Sequence, residues 1–114
     1  MRTIRRGEVW LADLEPTRGR EQSGERPVLI VSTDRFNQGR SRLVVAVPFT
    51  THRRGLPIHV EVRPPDGGLG DVSFAMCEQV RSLAVDRLGS QPFGRVPAAV
   101  LDSVENRLRL LLAL

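Results

Sequence analysis

Arg26-Pro27-Val28-Leu29-Ile30-Val31-Ser32 is the segment from which the architecture unfolds. A run so short and apolar, rich in β-branched residues and with its proline at the start, predicts a strand buried on both faces. Upstream, residues 8–14 (EVWLADL) are β-prone and lead into residues 15–25, a polar stretch carrying Pro16, Gly19 and Gly24 that predicts a long exposed loop. Downstream, residues 34–37 predict a turn or a single helical turn. Residues 43–47 (LVVAV) predict another buried strand that runs out at Pro48, Phe49, Thr50 and Thr51. Ile58, Val60 and Val62 alternate with His59, Glu61 and Arg63, the period of a strand with one wet face. Asp66-Gly67-Gly68 is a turn, residues 72–80 supply one or two further strands, residues 84–88 a short helical turn, and residues 93–96 a weaker extended piece. After Pro97, the residues Val100, Val104, Leu108, Leu111 and Leu112 form one apolar face at helical spacing, expected to be core covering the sheet or barrel end, leaving Leu110 and Leu114 spare for an interface. Five to seven short strands and one terminal helix predict a mainly β fold, a small, strongly bent sheet or SH3-like barrel.

At 114 residues the chain has the size of one domain, spanning residues 1–114, with no repeat or composition shift to divide it. No apolar run approaches the roughly 20 residues that cross a bilayer, and residues 1–6 lack a signal peptide's apolar stretch. The expectation is a soluble, cytoplasmic protein. A lone cysteine, Cys77, excludes disulfide and zinc-finger scaffolds. The formal net charge is +4, and all 17 basic residues are arginine. That balance favours polyanionic partners, and the guanidinium fork suits phosphate, although a coding bias would also replace every lysine. Aromatic residues are only 4% of the chain, so a stacking platform of the usual single-strand-binding kind has few candidates.

Two patches could carry chemistry. Gly19-Arg20-Glu21-Gln22-Ser23-Gly24-Glu25 is a polar, glycine-flanked loop delivering Arg26 to the start of a buried strand. Phe49-Thr50-Thr51-His52-Arg53-Arg54-Gly55 sets two hydroxyls and a cluster of positive charge at another strand's end. His52 and His59 suggest imidazole acid–base chemistry only weakly, one lying in an arginine-rich loop and the other on a wet strand face. They make no recognisable metal site, and Cys77 reads as a small buried strand residue.

Taken together, Arg6-Gly7-Glu8-Val9-Trp10 with Asp13-Leu14-Glu15-Pro16, residues 19–32, Val47-Pro48-Phe49-Thr50-Thr51 and Cys77-Glu78-Gln79-Val80-Arg81-Ser82 resemble the MazF/PemK-like toxins of bacterial toxin–antitoxin pairs. The resemblance covers nearly the whole chain. It implies an SH3-like barrel of the CcdB/PemK kind with a C-terminal helix, a homodimer, a MazE-like antitoxin partner, and metal-independent, cofactor-free cleavage of single-stranded RNA to a cyclic phosphate and a 5′-hydroxyl. It further implies Arg26 and Thr50 as catalytic residues, Glu21 as the acidic loop residue with Gln22 beside it, and Gln79 as an RNA contact. Arg20 stands where the family's loop often has serine, so no hydroxyl contact carries over there.

Cleavage of this kind uses the substrate's own 2′-hydroxyl as nucleophile and asks the protein for charge stabilisation and proton transfer. Arg26 would clamp the phosphate with two parallel hydrogen bonds, worth roughly 3 kcal/mol by analogy with other preorganised donors. Thr50 would donate to the same phosphate, or cap the turn that follows it. Guanidinium titrates above about 12, which makes a carboxylate the better base, and Glu21 is the candidate. Arg20, Thr51, Arg53, Arg54 and Arg81 are candidate RNA contacts that position the strand, and Gln22 and Gln79 candidate readers of base edges. A CcdB-like gyrase-binding toxin and a non-catalytic nucleic-acid-binding module are the competing readings.

Overall fold

The computed structural model describes residues 2–15, 19 and 24–114. Its elements in chain order are β1 (Glu8–Asp13), β2 (Glu25–Ile30), α1 (Asp34–Asn37), β3 (Leu43–Thr50), β4 (His59–Val62), β5 (Ser73–Met76), β6 (Arg81–Ala84), β7 (Gly94–Arg95) and α2 (Ala98–Leu112). The strands form one antiparallel sheet in the order β4-β5-β3-β2-β1-β7, with β6 also paired to β3. The result is mainly β, a curled half-barrel with a C-terminal helix, as the strand count predicts.

β3 organises the curl because one of its edges serves two partners. Leu43 to Ala46 pair with β6, whereas Phe49 and Thr50 pair with β5. Pro48 has no amide hydrogen to donate, and it falls in the gap between these two ladders.

Alternation divides the core between the two faces of the sheet. On one face Val9, Leu29, Val47, Phe49, Val60, Val62 and Ala75 pack with Val104 of α2. On the other, Trp10, Ala12, Val28, Ile30, Val44 and Ala46 pack with Ile4, Leu83, Val85 and Leu88. Val28, Leu29 and Ile30 are buried completely, so the central strand is covered on both sides, as its sequence predicts. The N-terminal segment is tied down by Arg2, whose Nη1 donates to the Leu88 and Gly89 carbonyls at 2.8 and 2.9 Å, and by Arg6, which bonds the Val31 carbonyl and Glu105 of α2.

The sequence expectations for His59 and for α2 fail. His59 is not on a wet face: its side chain is 3% exposed, because Glu78 in the 3-10 turn Cys77–Gln79 reaches it with a carboxylate oxygen 2.9 Å from Nε2. The apolar face of α2 is covered only over its first part. Val104 is buried and Val100, Leu101 and Leu108 pack on the core, but Leu111 and Leu112 are 43% and 55% exposed. They join Leu110 and Leu114 on the surface of the last turn.

Candidate functional site

Arg26 and Thr50 reach the site from neighbouring strands. The β2–β3 ladder runs Ile30–Ala46, Leu29–Val47, Val28–Pro48, and Arg26 and Thr50 each lie two residues beyond its last pair. Opposed residues of an antiparallel pair share a face, so both side chains belong to the face of Val28 and Ala46. Ala12 stands opposite Arg26, Phe74 opposite Thr50, and Glu61 opposite Phe74. A row Thr50, Phe74, Glu61 therefore crosses from β3 to β4, and the Ala12–Arg26 pair of β1 and β2 lies on the same face.

Local sequence explains each placement. Pro27 opens the buried strand behind Arg26 with its φ already fixed and opposes Leu11 of β1, so β1 holds the backbone that carries the half-buried Arg26. Thr50 ends β3 and is 4% exposed. Its Oγ1 accepts from the His52 amide at 3.2 Å, which turns the chain out of the strand and leaves the hydroxyl hydrogen for another acceptor.

The loop after Thr50 folds back over the row. Arg53 lies with its guanidinium carbon 4.8 Å from the Phe74 ring centroid and donates to Glu61 Oε1 at 2.7 Å, while Arg63 Nε donates to Glu61 Oε2 at 2.6 Å. Hydrogen bonds from Arg53 and then Arg63 hold the Glu61 carboxyl below its usual range, so it is an ionised acceptor at neutral pH. Thr51 and Arg54 are exposed on the same loop. Gln79 is half-buried at the end of the 3-10 turn after β5. Arg81 opposes Ala46, and its Nη1 is buried with no hydrogen-bond partner among the described residues. Arg20, Glu21 and Gln22 lie outside the described residues.

Cys77 is fully buried at the first position of that 3-10 turn rather than in a strand. Burial pushes its thiol up to about 11, which keeps it protonated and unreactive at neutral pH. Phe74 and Glu61 join the site unannounced by any motif, and the alternation of residues 59–62 is the signal that groups Glu61 with His59.

Among the described residues no helix is long and apolar enough to cross a membrane. Residues 5–112 match the family model described as PemK-like, MazF-like toxin of type II toxin-antitoxin system. Endoribonuclease MazF9 of Mycobacterium tuberculosis is 40% identical over 112 residues, 94% of each chain. Among solved structures, MazF from Deinococcus radiodurans superposes with a TM-score of 0.89 at 28% identity over all of both chains. An endoribonuclease from Mycobacterial species, solved in complex with its cognate antitoxin, superposes with a TM-score of 0.79 at 31% identity over 97% of this chain and 96% of its own. The chain thus belongs to the PemK-like, MazF-like toxin family of type II toxin–antitoxin systems.

Proposed function

We propose that this protein is a sequence-specific endoribonuclease toxin that cleaves single-stranded RNA, the substrate's 2′-oxygen attacking the adjacent phosphorus. The observation that carries the reading is the β2–β3 register, by which Arg26 and Thr50 lie on one face, each two residues beyond the Val28–Pro48 pair. Support also comes from relatives named as endoribonucleases.

In the reaction the 2′-oxygen forms a bond to phosphorus as the bond to the 5′-oxygen breaks. The products are a 2′,3′-cyclic phosphate and a 5′-hydroxyl. The 2′-proton passes to a base, and the departing 5′-oxygen takes a proton from water. Arg26 holds two non-bridging oxygens in its planar fork and counters the charge added in the pentacoordinate transition state. The Thr50 hydroxyl donates to the same group. Glu21 accepts the 2′-proton, a task that suits a carboxylate better than a guanidinium. Because the nucleophile comes from the RNA, the step asks for no protein nucleophile and no metal-bound water.

Arg20, Thr51, Arg53, Arg54 and Arg81 guide the RNA backbone, and Gln22 and Gln79 read base edges. A net charge of +4 suits both the RNA and an acidic, MazE-like antitoxin that blocks the groove. The protein acts as a cytoplasmic homodimer.

The test is incubation of the purified protein with a randomised single-stranded RNA in excess EDTA, followed by analysis of the ends. The reading expects cleavage at a defined short motif with cyclic phosphate and 5′-hydroxyl termini. Products bearing 5′-phosphates, or cleavage that stops on chelation, would contradict it.

A further inference from the structure

Beside Thr50 lies a small cleft of about 120 Å³ walled by Arg53, Gly55, Leu56, His59, Glu61 and Phe74. We propose that it is a nucleobase subsite that selects guanine in the RNA strand crossing Thr50, a reading that rests on the protein's acting on single-stranded RNA.

The walls supply the two elements that base recognition needs. Arg53 has one face on Phe74 and a side chain still 63% exposed, so its planar guanidinium offers a second surface on which a base can stack. Glu61 supplies the edge contact. Its carboxylate has about four lone-pair positions, of which one on each oxygen is used by Arg53 and Arg63. The remaining pair matches two parallel donors, which guanine presents as N1–H and N2–H. Uracil presents a single N3–H between two carbonyl oxygens, which the carboxylate repels. The two arginines keep Glu61 ionised and fixed before any base arrives, so no reorganisation is needed on binding. His59, held by Glu78, forms a rigid back wall.

The row across the sheet gives the subsite its place relative to the chemistry. Glu61 opposes Phe74 and Phe74 opposes Thr50, so the base in the cleft belongs to a nucleotide close to the phosphate that Thr50 would contact.

The experiment uses a randomised 2′-O-methyl RNA pool, which retains every base but lacks the nucleophilic hydroxyl and so is bound without being cut. Bound sequences are read for wild type and for Glu61→Gln, whose neutral amide keeps the shape and the Arg53 contact. Wild type is expected to enrich guanine over uracil by about ten- to a hundredfold at one position, the range of a good bidentate base contact. Glu61→Gln should reduce that preference to less than about threefold there, with preferences at other positions and the unfolding midpoint unchanged. No guanine preference in wild type, no binding of the pool, or a preference that survives Glu61→Gln overturns the subsite. A parallel digestion of unmodified RNA separates the two readings. Cutting with no Glu61-dependent preference removes the subsite alone, and Glu61-dependent binding without cutting removes the nuclease alone.

Discussion

Thr50 stands directly opposite Phe74 in the β3–β5 ladder, so a hydroxyl available for donation and an aromatic ring capped by Arg53 share one face of the sheet. The Arg26–Ala12 pair lies on the same face, just beyond the Val28–Pro48 end of the β2–β3 ladder. A phosphate and a neighbouring base could therefore be gripped by residues that are distant in the chain yet adjacent in register.

Thr50 has two jobs, and conservative substitution separates them. Thr50→Ser keeps the oxygen that accepts from the His52 amide and keeps the donor, so cleavage should stay within about tenfold of wild type. Thr50→Ala loses both, lowering stability by about 0.5–1.5 kcal/mol for the lost hydrogen bond and the cleavage rate by roughly a hundredfold. Single-turnover rates and chemical denaturation check the two effects independently.

Cys77 should be silent in catalysis. Its folded thiol titrates near 11, against 9.0 for an unperturbed one, because burial disfavours the thiolate. The folded pKa is the higher, so between about 9 and 11 the unfolded chain releases a proton that the native state keeps, and stability falls as pH rises through that window. Iodoacetamide at pH 8 should leave the native protein unlabelled and active, and label it rapidly in denaturant. Prompt native labelling would contradict the burial argument.

Gly68 lies in the turn between β4 and β5, packed against the chain at Phe93 and Gly94 where β7 begins. Its φ is +68°, and a Cβ there would lie 2.0 Å from the Phe93 carbonyl oxygen. Backbone strain and overpacking act together, so Gly68→Ala should cost on the order of 2–5 kcal/mol in chemical denaturation. The control Gly70→Ala, where the added methyl meets nothing within 4 Å, should shift the midpoint little.

Much of this molecule is legible in its sequence because short apolar runs delimit strands. Val28, Leu29 and Ile30 announce a doubly buried strand, and the strand ends at Arg26 and Thr50 follow from where the runs begin and stop. Period-two alternation groups His59 with Glu61 correctly but does not say whether their face is covered. Glu78, nineteen residues along the chain, covers His59 and leaves Glu61 accessible. Helical spacing likewise identifies the apolar face of α2 but not how far the core extends beneath it, so Leu111 and Leu112 emerge into solvent. The stacking of Arg53 on Phe74 depends on a loop folding back across a strand, a contact that no local pattern encodes.

The central claim, that Arg26 and Thr50 act on one phosphodiester, is tested most directly by a double-mutant cycle. Single-turnover cleavage of a defined RNA would be measured for wild type, Arg26→Ala, Thr50→Ala and the combined variant, with the fold of each verified. Groups working as a unit are strongly non-additive. The predicted result is a loss of about a hundredfold or more in each single variant and a combined loss little greater than the larger of the two. Wild-type cleavage by either folded single variant, or two losses that simply multiply, would contradict it.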